Sequence, residues 1–233
     1  MIIKIAGLLI DVKNKYSYFN DFCRGFEAEG KPDFSVEVPD KVIKEAISKN
    51  PDYADGYLES LEIYRIICRK ILKYDAMLMH CAAVAVDGEA YLFTAVSGTG
   101  KTTHINLWRE KFGDRFIVVN GDKPILRIKD GKFFACGTPW RGKENYGHNI
   151  VAPIKAVCIL ERGEKNEIKK IVPHEAISTV LTQTLRTNDM YEMEKMLVLT
   201  DKLLGSVPFY RLRCNMEPEA ADVSYNGMQV IGE

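Results

Sequence analysis

The run Ala95-Val96-Ser97-Gly98-Thr99-Gly100-Lys101-Thr102-Thr103 carries the densest chemical signal in the chain. Gly98 and Gly100 let the backbone turn without Cβ clashes, so successive N–H groups can point into one cavity. Lys101 brings a full positive charge suited to β- and γ-phosphates, and the Thr102 hydroxyl can ligate Mg²⁺. Residues 89–94 before the run are apolar and strand-like, and residues 102–111 after it are helix-like. Strand, glycine loop, Lys-Thr and helix is the order of a phosphate-binding P-loop, where the helix N-terminus adds about half a positive charge. Ser97, Gly98, Thr99, Gly100, Lys101, Thr102 and Thr103 are therefore the expected contacts to ATP and Mg²⁺. The strict pattern begins with glycine where this chain has Ala95, so either Ala95 keeps an ordinary φ or the chain approaches the loop differently.

Such a loop needs a second acidic element, for the metal or for the nucleophile. Asp122 follows the apolar run 115–119, where a buried strand would carry a carboxylate to the sheet edge beside the phosphates. Asn120-Gly121-Asp122-Lys123-Pro124 also suits a plain turn. His80 ends the apolar run Met77-Leu78-Met79 and could donate to phosphate or carry a proton; it could equally be a satisfied core histidine. His104 could reach phosphate or cover its helix, and His148 and His174 read as structural. A second dense block is Gly137-Thr138-Pro139-Trp140-Arg141-Gly142-Lys143-Glu144. Arg141 offers a planar fork for phosphate oxygens and Lys143 a point charge. Residues 137–149 are expected to be a mobile loop that orders over the phosphates, against the plainer reading of solvated surface.

The elements around these residues can be read from pattern. Residues 2–10 look like one buried strand, with 16–19 as its returning partner, and 34–38 alternate as a half-buried strand. A short helix fits 39–48, and 56–74 place Leu58, Leu61, Tyr64, Ile67, Cys68, Ile71 and Leu72 on one helical face. Residues 77–86 and 89–94 form a hairpin about Asp87-Gly88, so the strand entering the P-loop has an antiparallel neighbour. A second hairpin turns at Asp130-Gly131. Residues 156–161 and 167–172 are strands flanking a polar turn, Pro173 starts a helix, Asp189 caps another, 207–213 form a strand and 217–228 a helix.

The chain has 233 residues, 46% of them hydrophobic, enough for one large α/β domain with a full core. Its formal net charge is zero, so no global field recruits nucleic acid or membrane. No apolar run approaches the roughly 18 residues of a membrane span. Six cysteines without a Cys-x-x-Cys pair suit reduced thiols in the cytoplasm rather than a zinc site.

Together these residues resemble the catalytic domain of HPr kinase/phosphorylase, within the phosphoenolpyruvate carboxykinase-like superfamily. The Ser-Gly-Thr-Gly-Lys-Thr-Thr loop, the segment around His80 ahead of Asp87-Gly88, and Arg141-Gly142 carry the resemblance, over residues 78–161. It implies an α/β P-loop fold with a mixed, largely antiparallel sheet. The whole chain would be one domain, with 76–161 as nucleotide-binding core and 1–75 an extension packed on it. The implied activity is ATP-dependent transfer of a phosphoryl group to a hydroxyl, a serine of a protein or peptide. The alternatives are a small-molecule kinase of the same superfamily or a non-catalytic nucleotide-binding module. Thr102 and Asp122 would hold Mg²⁺, Asp122 or His80 would take the hydroxyl proton, and Arg141 and Lys143 would neutralise the moving phosphoryl group. Where the family has paired aspartates this chain has Gly121-Asp122, and Asn120 could partly replace the first carboxylate.

Overall fold

A computed structural model describes residues 1–96, 98–185 and 187–229. The run at 2–10 is two strands rather than one. Ala6 and Gly7 take positive φ of 52° and 77°, which reverses the chain between β1 (Ile2–Ile5) and β2 (Leu8–Lys13), paired antiparallel. The expected returning strand at 16–19 is instead the short helix α1 (Tyr18–Phe22). The reason lies far along the chain: the fully buried Glu59 carboxylate accepts from Lys15 N at 2.8 Å and Tyr16 N at 3.1 Å. Those two amides are thereby withdrawn from any ladder. β3 (Phe34–Glu37) then joins β2 in parallel, followed by α2 (Asp40–Lys49) and α3 (Asp55–Lys70). The apolar stripe of α3, Ile63, Tyr64 and Ile67, packs in one cluster with Ile3, Ile5, Ile10 and Val36. That cluster runs on into Ala76, Ile125, Cys136 and Trp140, so the N-terminal segment and the rest share a core.

Among the described residues, the larger sheet has nine strands. The apolar run at 77–86 is divided between two places in it. β4 (Ala76–Leu78) pairs with β8 (Ile125–Lys129), whereas β5 (Ala82–Val86) pairs with β6 (Glu89–Thr94) and β7 (Phe116–Asn120). Met79, His80 and Cys81 span the break. The two hairpins turn where expected, with positive φ at Asp87 and Gly88 (52° and 83°) and at Asp130 and Gly131 (50° and 74°). β9 (Lys132–Cys136) leads to β10 (Val151–Arg162), which is longer than its predicted 156–161 and changes partners along its length. Val151–Pro153 pairs antiparallel with β9, the residues from Ile154 pair in parallel with β6, and Val157 onward pairs in parallel with β12 (Phe209–Cys214). The sheet curls at this strand. β11 (Glu167–Ile171) does not fold back onto β10; β12 lies between them and pairs with both. The remaining pairs of this sheet are antiparallel among the described residues.

Alternation along the strands builds two cores. Ala83, Ala85, Leu92, Val157 and Ile159 face α5 (Pro173–Gln183) and α6 (Met190–Ser206). Val84, Tyr91, Phe93, Cys158 and Leu160 face α4 (Lys101–Phe112) and α7 (Glu219–Gln229). The registers then bring the ends of β7, β6, β10 and β12 and the starts of β5 and β11 to one edge. In sheets of this kind, ligands bind beyond the carboxyl ends of parallel strands.

Candidate active site

The P-loop leaves that edge between β6 and α4. Ala95 is buried and keeps an ordinary φ, so the chain departs from the strict pattern without strain. Gly98 and Gly100 take positive φ of 79° and 118°. A Cβ at either would meet nothing within 4 Å, so backbone angle rather than crowding requires glycine there. Thr99 closes the turn, its N and Oγ1 donating to Val96 O at 3.2 and 2.7 Å. Among the described residues no side chain caps α4, and the first amides of Lys101, Thr102 and Thr103 have no partner within the helix and can meet an anion. Lys101 Nζ folds back onto Ala95 O at 3.3 Å. Ser97 lies outside the described residues.

Beside the loop, His80 Nε2 and Asp122 Oδ1 are 2.8 Å apart. The backbones are coupled too: Cys81 N donates to Asp122 O at 3.2 Å, His80 N to Gln183 O at 2.7 Å, and Thr94 Oγ1 to His80 O at 3.2 Å. Burial would raise the Asp122 carboxyl, but the His80 hydrogen bond and the nearby charges of Lys123 and His80 outweigh it and hold it below the ordinary carboxylate value. Asp122 is thus ionised at neutral pH. The neighbouring Cys81 thiol, pushed up chiefly by burial, feels the charges of Lys101 and Asp122 with opposite signs.

Asn120 does not stand in for a missing carboxylate. It is fully buried, and its Nδ2 is shared among Thr138 O, Thr138 Oγ1 and Trp140 O at 3.1, 2.9 and 3.2 Å. Its Oδ1 accepts from Asp122 N at 2.9 Å and Lys123 N at 2.6 Å. Asn120 thus fixes the turn that presents Asp122 and binds it to the 137–149 segment. Gly121 is explained by the same packing: a Cβ there would sit 3.2 Å from Tyr146 O and 3.3 Å from Arg141 O. Backbone carbonyls fill the space a second aspartate would need.

Much of residues 137–149 is anchored rather than free. Gly121 N donates to Tyr146 O, His148 N to Val119 O and Gly137 N to Ile150 O. Trp140 is buried, stacks on Tyr64 with centroids 4.0 Å apart, and donates from Nε1 to Ser60 O at 3.1 Å. The exposed residues are 142–145, 148 and 149. Gly142, at φ 77°, rests against Asp122: a Cβ would come within 2.9 Å of Asp122 Cβ.

The other candidates divide. Arg141 does not face the P-loop in this structure. Its guanidinium lies 5.4 Å from the Phe26 ring centroid, and its Nε is buried without a hydrogen-bond partner. Burial lowers its pKa, while Cys23 acts in the opposite sense. Lys143 is exposed. His104 is not at the phosphates: it is buried, its Nε2 lies 3.1 Å from Ser224 Oγ, and burial lowers its pKa to about 4. His148 Nδ1 meets Val118 O at 3.0 Å, and His174 is exposed on α5. Glu144 was not singled out by pattern, yet Thr102 Oγ1 donates to its Oε1 at 3.5 Å. Only the fold of the 137–149 segment makes the two neighbours.

Among the described residues, no group of three His, Cys, Asp or Glu side chains is placed to hold a metal ion. Thr102, with Glu144 beside it, and Asp122 fit a Mg²⁺ carried mainly by phosphate oxygens, which asks the protein for one or two ligands. None of the described helices is long and apolar enough to cross a membrane.

Fold and site define a mixed α/β protein with a glycine-rich loop and a His–Asp pair at one sheet edge. The family model described as SynChlorMet cassette protein ScmC matches residues 47–219, and the chain belongs to that family. No curated protein matches the sequence. Among solved structures it is similar to the Hpr(Ser) kinase/phosphatase from Coxiella burnetii, with a TM-score of 0.40 and 10% identity, over 64% of this chain and 94% of that one.

Proposed function

We propose that this protein transfers the γ-phosphoryl group of ATP to a hydroxyl, the acceptor being a serine of a protein or peptide. The observation that carries this reading is the His80–Asp122 pair, 2.8 Å apart and partly open to solvent, on the edge from which the P-loop projects. A nucleotide-binding module has no need of an ionised carboxylate held by a histidine there; a phosphotransferase does, to take the proton of the attacking hydroxyl. The amides of Lys101, Thr102 and Thr103 and the Lys101 ammonium hold the phosphates. Bound Mg-ATP would supply the phosphoryl group and the metal charge that offsets it, with the Thr102 hydroxyl as the metal's protein ligand. His80 donates to Asp122 Oδ1 and so leaves Oδ2 to receive the acceptor proton. Lys123 Nζ, 3.6 Å from Oδ2, helps keep that oxygen ionised until the hydroxyl arrives.

The test is transfer of label from γ-labelled ATP in a cell extract, comparing wild type with Lys101→Ala. A labelled protein band that needs Lys101 supports the reading. Label in a small metabolite moves the acceptor to the small-molecule class. Binding of Mg-ATP with no labelled product makes the chain a nucleotide-binding module.

A further inference from the structure

We infer that Arg162 is a phosphate-binding residue of the P-loop site. The inference rests on the nucleotide-binding part of the function proposed above. β6 and β10 run in parallel with Thr94 opposite Ile159. Gly98 and Arg162 therefore lie four and three residues beyond paired positions, about 10 Å past the same point on neighbouring strands. Arg162 Nη2 donates to Gly98 O at 2.6 Å. A guanidinium thus sits on the outer rim of the loop, opposite the side occupied by His80 and Asp122.

The charge of Arg162 is not spent elsewhere. Glu161, the adjacent carboxylate, points to the other face of the sheet and takes Arg211 and Arg213, each at 3.2 Å. Arg162 has no carboxylate partner among the described residues. It shares its face with Leu160 and Leu212, which pack in the same core as Ile105 and Trp108 of the P-loop helix. One N–H of the guanidinium meets the Gly98 carbonyl and the others remain for oxygens of a phosphate in the loop. The side chain is exposed, so the fold does not depend on its burial.

A plainer role is conceivable: Arg162 as a mere latch on the Gly98 carbonyl. The two roles separate by charge. Glutamine can still donate to Gly98 O but carries no charge; lysine keeps the charge with a single-point donor. Affinities for Mg-ATP, Mg-ADP and inorganic tripolyphosphate are to be measured by calorimetry for wild type, Arg162→Gln, Arg162→Lys and Lys101→Ala, at two ionic strengths. Arg162→Gln is expected to weaken Mg-ATP and tripolyphosphate by about tenfold or more, with a shallower salt dependence, and Arg162→Lys by less. Wild-type affinity and salt dependence in Arg162→Gln, with binding still lost in Lys101→Ala, overturns the role of Arg162 alone. No Lys101-dependent binding in the wild type removes both this inference and the reading beneath it.

Discussion

His80 Nε2 meets Asp122 Oδ1 at 2.8 Å, and the residue after the histidine ties the same aspartate by its backbone, Cys81 N donating to Asp122 O at 3.2 Å. The backbone bond fixes where the side chains meet. It also explains why the chain leaves β4 before His80 and enters β5 only after Cys81: residues 79–81 follow the turn at 120–124, with Met79 N donating to Pro124 O. The break in a long apolar run is what brings a histidine to the sheet edge beside the glycine-rich loop.

Asp122→Asn keeps the size of the side chain and removes its charge and basicity. Mg-ATP affinity should survive, because the loop amides and Lys101 supply it. Transfer in a single turnover should fall by at least about a hundredfold. Near-normal transfer in the variant would make Asp122 a turn residue and pass the proton-accepting role to His80.

Gly142→Ala tests whether the exposed loop positions Asp122. Alanine at φ 77° is strained, and its Cβ would press on Asp122 Cβ at 2.9 Å. A misplacement of about 1 Å at a reacting group can cost about 10²-fold in rate. The variant should therefore transfer phosphoryl at least about tenfold more slowly while binding Mg-ATP nearly as well as wild type. Equal loss of binding and transfer would point to general loosening of the site instead.

Asn120→Asp places a second carboxylate two residues before Asp122, but it should not help. The three acceptors now served by Nδ2 would face negative charge in a buried place. Urea unfolding should show a loss of about 3 kcal/mol or more. An unchanged unfolding midpoint would mean that the Asn120 network is dispensable.

The buried His104 gives stability a defined pH dependence. Its pKa falls from 6.5 to about 4 on folding, so the folded state favours the neutral ring. The contribution is complete above pH 6.5 and is lost as pH falls from 6.5 towards 4, amounting to about 3 kcal/mol at the acid end. Urea midpoints measured across that window should fall more steeply for wild type than for His104→Leu, whose side chain cannot take a proton. Parallel slopes would show that other groups govern the acid limb.

The sequence by itself determined the parts that depend on neighbours along the chain. The P-loop follows from two glycines needing positive φ beside Lys101 and Thr102. The hairpins follow from Asp87-Gly88 and Asp130-Gly131, and α6 begins where Asp189 Oδ1 can accept from Glu192 N. Each is a local rule about dihedrals or the nearest amides. Only the tertiary structure decided what depends on distant partners. Glu59, in α3, turns residues 16–19 into a helix start rather than a strand. β12 inserts between β10 and β11 because its register with both buries its apolar side chains. Within the site, the sequence offered His80, Asp122, Arg141 and Lys143 as candidates. Packing brought the first two together, sent Arg141 against Phe26, left Lys143 exposed, and set Glu144 beside Thr102. A side chain's charge can be read from one position, but what it neutralises depends on which strands end beside it.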